Sequence, residues 1–143
     1  KEEVQSRYEI LMDEYEKQIN IEALTMLDIA KKDILPAASK FSKELTDTIA
    51  NKKAIGIDLT YELETAKKVS EYLTEAYQAL ITLEKDVEKL HSIDDFEKSA
   101  FYVRDFIIQD MAALRKPCDE LEVVTSNEAW PFPTYGKLLF GIL

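Results

Sequence analysis

Residues that turn or stop a helix gather in only three stretches of this chain. They are Asn51-Lys52-Lys53-Ala54-Ile55-Gly56-Ile57-Asp58, His91-Ser92-Ile93-Asp94, and Ser126-Asn127 onward. Three Gly in 143 residues lie far below the usual ~7% and leave little room for phosphate loops, hairpins or tight β turns. Between the breaks, apolar residues recur at steps of three and four, which places them on one helical face. The chain therefore reads as all-α: one domain over 1–143, helices roughly 6–54, 59–91 and 94–125, and a docked tail over 126–143.

The first segment opens on Ser6-Arg7-Tyr8-Glu9, a capping box in which Ser and Glu satisfy each other's orphaned backbone N–H groups. Its stripe is Tyr8, Leu11, Tyr15, Ile19, Ala23, Met26, Ala30, Ile34, Ala37, Phe41, Leu45, Ile49. Pro36 lies inside this run, lacks an N–H and crowds the carbonyl of Lys32, so a bend or a break is expected between Lys32 and Pro36. The second helix begins after Gly56 with Asp58 or Thr60 as cap. Its stripe, Ala66, Val69, Leu73, Ala76, Leu80, Leu83, Val87, Leu90, alternates three and four as a coiled-coil heptad does. The third has Asp94 as N-cap with Glu97 behind it, and its stripe is Phe96, Ala100, Val103, Ile107, Met111, Leu114, Cys118, Leu121. Pro117 should kink it.

Short loops join antiparallel neighbours, so the economical fold is an antiparallel three-helix up-down-up bundle. At ~1.5 Å per residue the second and third helices reach roughly 45 Å and an unbroken first helix roughly 70 Å. The first therefore overhangs the others or folds back at Pro36. The overhanging half contains Ile19, Ile21, Leu24, Met26, Leu27 and Ile29 on more than one face, and uncovered apolar surface belongs to a partner or to a missing part of the same protein. The tail Trp130-Pro131-Phe132-Pro133-Thr134-Tyr135-Gly136-Lys137-Leu138-Leu139-Phe140 cannot be helical at its front. It is too aromatic for a disordered segment and should dock in extended form, as a cap on the bundle or an intersubunit contact. The expected interface residues are Ile19, Ile21, Leu24, Met26, Leu27, Trp130, Phe132, Tyr135, Leu139 and Phe140.

Charge and rare residues narrow the function classes. There are 18 Lys+Arg against 28 Asp+Glu, a net charge of -10, which argues against nucleic acid and anionic membranes as partners. No apolar run approaches the ~20 residues of a membrane helix. A single Cys and a single His leave no internal disulfide and no Cys/His zinc set. Glu88 and His91 have the Glu-x-x-His spacing of di-iron bundles, but that site needs a second such motif. His91 is expected instead at the carbonyl end of its helix, and Cys118 reads as a small buried hydrophobe. No Ser/His/Asp set, Walker loop or dinucleotide fingerprint is present. No residue qualifies as catalytic, cofactor-binding or metal-ligating. The charged start Lys1-Glu2-Glu3-Val4, without Met or signal-peptide features, suggests a piece of a longer protein.

Several stretches carry a family resemblance: Ser6-Arg7-Tyr8-Glu9-Ile10, Ile19-Asn20-Ile21-Glu22-Ala23-Leu24-Thr25-Met26, Ile34-Leu35-Pro36-Ala37, Tyr102-Val103-Arg104-Asp105, Met111 through Arg115, and Trp130-Pro131-Phe132-Pro133-Thr134-Tyr135-Gly136. In this order, over nearly the whole chain, they resemble the C-terminal region of type III glutamine synthetase. Pro117 and Lys137 depart from the family's pattern. The resemblance implies a cytoplasmic, bacterial-type parent ligase of nitrogen metabolism that joins ammonia to glutamate through γ-glutamyl phosphate, using ATP and a divalent metal (Mg or Mn). It also implies that the reacting groups lie upstream. This segment would then be a non-catalytic scaffold whose partners are the catalytic domain of its own chain and neighbouring subunits of a homo-oligomer. The alternative is a free-standing helical-bundle interaction or adaptor module, which would leave the second helix's heptad exposed for a partner.

Overall fold

The computed structural model describes residues 1–133; Tyr135, Leu139 and Phe140 of the expected interface lie outside them. Every regular element among the described residues is helical: α1 (Glu2–Ile29), a π-helical turn (Ala30–Ile34), α2 (Leu35–Ile55), α3 (Thr60–His91), α4 (Phe96–Tyr102), a second π-helical turn (Val103–Ile107) and α5 (Ile108–Val124). None of these helices is long and apolar enough to cross a membrane.

Pro36 neither breaks the first helix nor folds it back. The turn before it widens, so that the Leu35 N–H donates to the Ala30 carbonyl, five residues back. Pro36 then falls in the first turn of α2, where a missing N–H costs least. Of the expected bend or break, the break does not occur: the path is continuous through one wide turn, the form a single extra residue takes inside a helix. The helix also starts earlier than the capping box suggests. Glu2 and Glu3 occupy its first turn, where acids favour the positive end of the dipole, and Ser6 is an interior residue rather than a cap.

The corner after α2 follows local chemistry closely. Gly56 takes the left-handed conformation, with φ 73°. Its N–H reaches the Lys53 carbonyl while the Ile57 N–H reaches that of Lys52, the paired bonds of a Schellman motif. Asp58 Oδ1 accepts from the Thr60 N–H at 3.1 Å and from its hydroxyl at 2.7 Å, capping the first turn of α3 from just outside it. At the next corner the cap is Asp95, not Asp94. Asp95 is extended and its carboxylate accepts from the Glu97 N–H at 2.9 Å.

Cross-chain contacts set the register. Lys52 pairs with Glu62, Lys31 with Glu84, and Asn20 meets His91. One number falls as the other rises, so α3 runs back along α2 and α1. The core lies along this seam and along α5. It comprises Ala23, Leu27, Ala30, Ala38, Phe41 and Leu45 from the first helix and Ala66, Val69, Ala76, Leu80, Leu83, Val87 and Leu90 from α3. Val103, Ile107, Leu114, Cys118, Leu121 and Trp130 complete it among the described residues. The heptad of α3 is thus consumed within the chain and offers nothing to an external helix. α5 runs through Pro117, which is itself fully buried.

Candidate functional site

Two features stand apart from ordinary packing: an uncovered half-helix and a pair of carboxyl groups between α3 and the third helical segment.

The first twenty residues of α1 lie almost entirely in solvent. Val4, Tyr8, Ile10, Leu11 and Tyr15 are all exposed. Tyr8, Leu11 and Tyr15, the first residues of the expected core stripe, therefore do not join the core. Among the described residues, two side-chain hydrogen bonds tether this half to the rest. Ser99, buried on α4, donates to Glu16 Oε2 at 2.7 Å. His91, in the last turn of α3 at its carbonyl end as expected, also has its Nε2 2.8 Å from Asn20 Oδ1 on α1.

The structure divides the expected interface residues. Ile21 is 63% exposed and Leu24 44%, together on the outer side of α1. Ile19 and Met26 are half-buried against the core. Leu27 is buried, and Trp130 is only 8% exposed, packed edge-on to Phe132 with ring centroids 6.2 Å apart. Leu27 and Trp130 are covered by their own chain and keep little area for a partner.

The carboxyl pair joins Asp86 of α3 to Asp110 of α5. The Tyr102 hydroxyl donates to Asp86 Oδ1 at 2.8 Å, and Lys89 sits 5.9 Å from the Tyr102 ring centroid. Asp110 Oδ2 is buried with no hydrogen-bond partner among the described residues. A buried carboxylate oxygen without a donor is costly, and the cost disappears if Asp110 keeps its proton and donates to Asp86. Burial, reinforced by the Asp86 charge, pushes Asp110 up to about 7. The hydrogen bond from Asp110, aided by that from Tyr102, holds Asp86 below the usual carboxylate range. Burial and the bond to Asp86 push Tyr102 up to about 12. The pair thus shares one proton near neutrality. Sequence reasoning missed it, although both acids immediately precede a stripe residue, Val87 and Met111, at the edge of the apolar face.

No three His, Cys, Asp or Glu side chains converge as metal ligands among the described residues. Cys118 is buried, and that burial raises its thiol to about 11, so it is poorly suited to nucleophilic attack.

The described residues thus form long helices with an uncovered arm at the start of α1. Comparison with known proteins gives the chain a lineage. Residues 1–53 match the family model described as glutamine synthetase C-terminal domain. The chain is 35% identical over 144 aligned residues, 99% of its length, to a glutamine synthetase of Butyrivibrio fibrisolvens, covering 21% of that protein. It is 29% identical over 96% of its length to a type-3 glutamine synthetase of Dictyostelium discoideum and 25% identical over 96% to a glutamine synthetase of Bacteroides fragilis, covering 20% of each. By sequence, then, this chain is related to the C-terminal domain of glutamine synthetases, type III enzymes among them. It spans about a fifth of the length of the curated relatives it matches.

Proposed function

We propose that this chain is a non-catalytic scaffold within a type III glutamine synthetase, an up-down-up bundle that packs against the catalytic part and neighbouring subunits. The parent would ligate ammonia to glutamate in the cytoplasm with ATP and Mg or Mn, on residues outside this segment. The observation that carries the reading is the uncovered apolar surface of α1, above all Ile21 and Leu24. Apolar side chains left in water by one fold are where a second surface gains about 25 cal/mol per Å². The adaptor alternative loses its main support, because the heptad of α3 is buried at home.

The test is the double variant Ile21→Asp/Leu24→Asp in the full-length parent enzyme, with assembly mass followed by sedimentation. The same change in this chain alone should move its stability by no more than about 0.5 kcal/mol, since both residues are exposed. Loss of assembly in the parent with an intact domain is expected; an unchanged assembly refutes the scaffold reading. ATP-dependent glutamine formation by the chain alone would refute its non-catalytic status.

A further inference from the structure

The uncovered half of α1 does not stand free on every side. Between it and α4 lies a groove of about 830 Å³. Tyr8, Met12 and Tyr15 form one wall, and Phe96, Phe101 and Ile108 the other. Tyr8, Tyr15 and Phe101 are exposed despite their size. The polar lining is Gln5, Glu9, Asp95, Glu97 and Arg104. Arg104, the cation in the lining, is already engaged: its guanidinium lies 4.8 Å from the Phe101 ring centroid, and its Nε is 3.0 Å from Asp105 Oδ1. Asp95 is occupied as the α4 cap. Glu9 and Glu97 form no ion pair among the described residues, where the seven ion pairs all involve other acids.

We propose that this groove docks a Lys- or Arg-flanked apolar segment of a polypeptide other than a copy of this chain. The aromatic walls suit the apolar face of such a segment. The unpaired Glu9 and Glu97 at the rim suit its flanking cations, which would steer encounter and fix register. The same groove of a second copy is disfavoured as occupant, since its Glu9, Asp95 and Glu97 would face the same acids here. The inference rests on the reading of this chain as a contact domain and adds the chemistry of one partner.

The experiment is a two-dimensional amide NMR titration of this chain with a short synthetic peptide of Leu-Leu-Lys-Lys blocks. A matched peptide with Glu in place of Lys serves as control. The Lys peptide should shift resonances of α1 residues 5–15 and of α4 and should bind more weakly as salt is raised. Glu9→Gln/Glu97→Gln should weaken it about fivefold to tenfold, given what exposed charge pairs contribute. Phe101→Ala should weaken it by removing a wall, while Glu71→Gln/Glu75→Gln on the exposed side of α3 should leave it unchanged. Equal binding of the Glu peptide, shifts spread over the whole acidic surface, or no binding would each overturn the inference. So would concentration-dependent self-association that shifts the same groove residues. Peptide binding at the groove alongside normal parent assembly in the Ile21/Leu24 variant would sink the scaffold reading and leave this one standing; the reverse pattern would sink only this one.

Discussion

Replacing Asp110 by Asn should make the chain more stable above neutral pH and flatten its pH dependence. A carboxyl whose folded-state value lies near 7, against an ordinary 3.8, binds its proton more tightly folded than unfolded. Stability is then fully present below about pH 4 and is lost as pH rises through about 7. Taken undamped, at about 1.36 kcal/mol per factor of ten, the gap amounts to about 4 kcal/mol. Asp110 is half-buried rather than sealed, and solvent screens the repulsion of two carboxylates, leaving about 1–2 kcal/mol. Asp86, shifted the opposite way, supports the fold above its ordinary value and loses that support only as pH falls through its lower folded one. Its effect is therefore confined to the acid side. The side-chain amide introduced by Asp110→Asn can donate to Asp86 at any pH. Urea denaturation followed by far-UV circular dichroism should show wild type losing about 1–2 kcal/mol between about pH 5 and pH 8 and Asp110→Asn losing almost none. Parallel pH slopes for the two proteins, or an Asp110→Asn variant weaker than wild type at about pH 8, would refute the shared proton.

Two further substitutions probe the frame. Gly56→Ala places a Cβ on a left-handed residue where it meets no neighbour within 4 Å among the described residues. The cost is therefore backbone strain alone, and chemical denaturation should show a loss of about 1 kcal/mol. Trp130→Ala should cost about 3 kcal/mol by the same assay, because the indole is buried in the bundle; a loss below about 1 kcal/mol would mean that the tail front contributes little to the core.

The parts of the fold that periodicity could reach are those decided by burial. Every stripe residue of α3 except Leu73 is buried, since that helix has neighbours along its length. The same spacing misleads at Tyr8, Leu11 and Tyr15, because a stripe records amphipathicity and not whether anything lies opposite. Capping signals were legible to within a residue at Asp95, but not at Ser6, where a good local box is overridden by helix-compatible residues before it. Pro36 announces itself but not its remedy, since a wide turn and a break satisfy the missing N–H equally well. The burial of Leu27 beside the exposed Leu24 depends on which side of α1 meets α3 and α5, which helix length does not specify. The Asp86–Asp110 pair and the groove beside α4 join residues distant in sequence, and no spacing rule links them.

The wide turn at Ala30–Ile34 has a mechanical consequence. It lets one helical path run from Glu2 to Ile55, roughly 80 Å at ~1.5 Å per residue, past a proline that would otherwise have jointed it. A strut of that kind carries displacement along its length. A partner gripping its solvent-bathed end would tug on the Gly56 corner at the far one, with Ala23 through Leu45 clamped in between as the fulcrum.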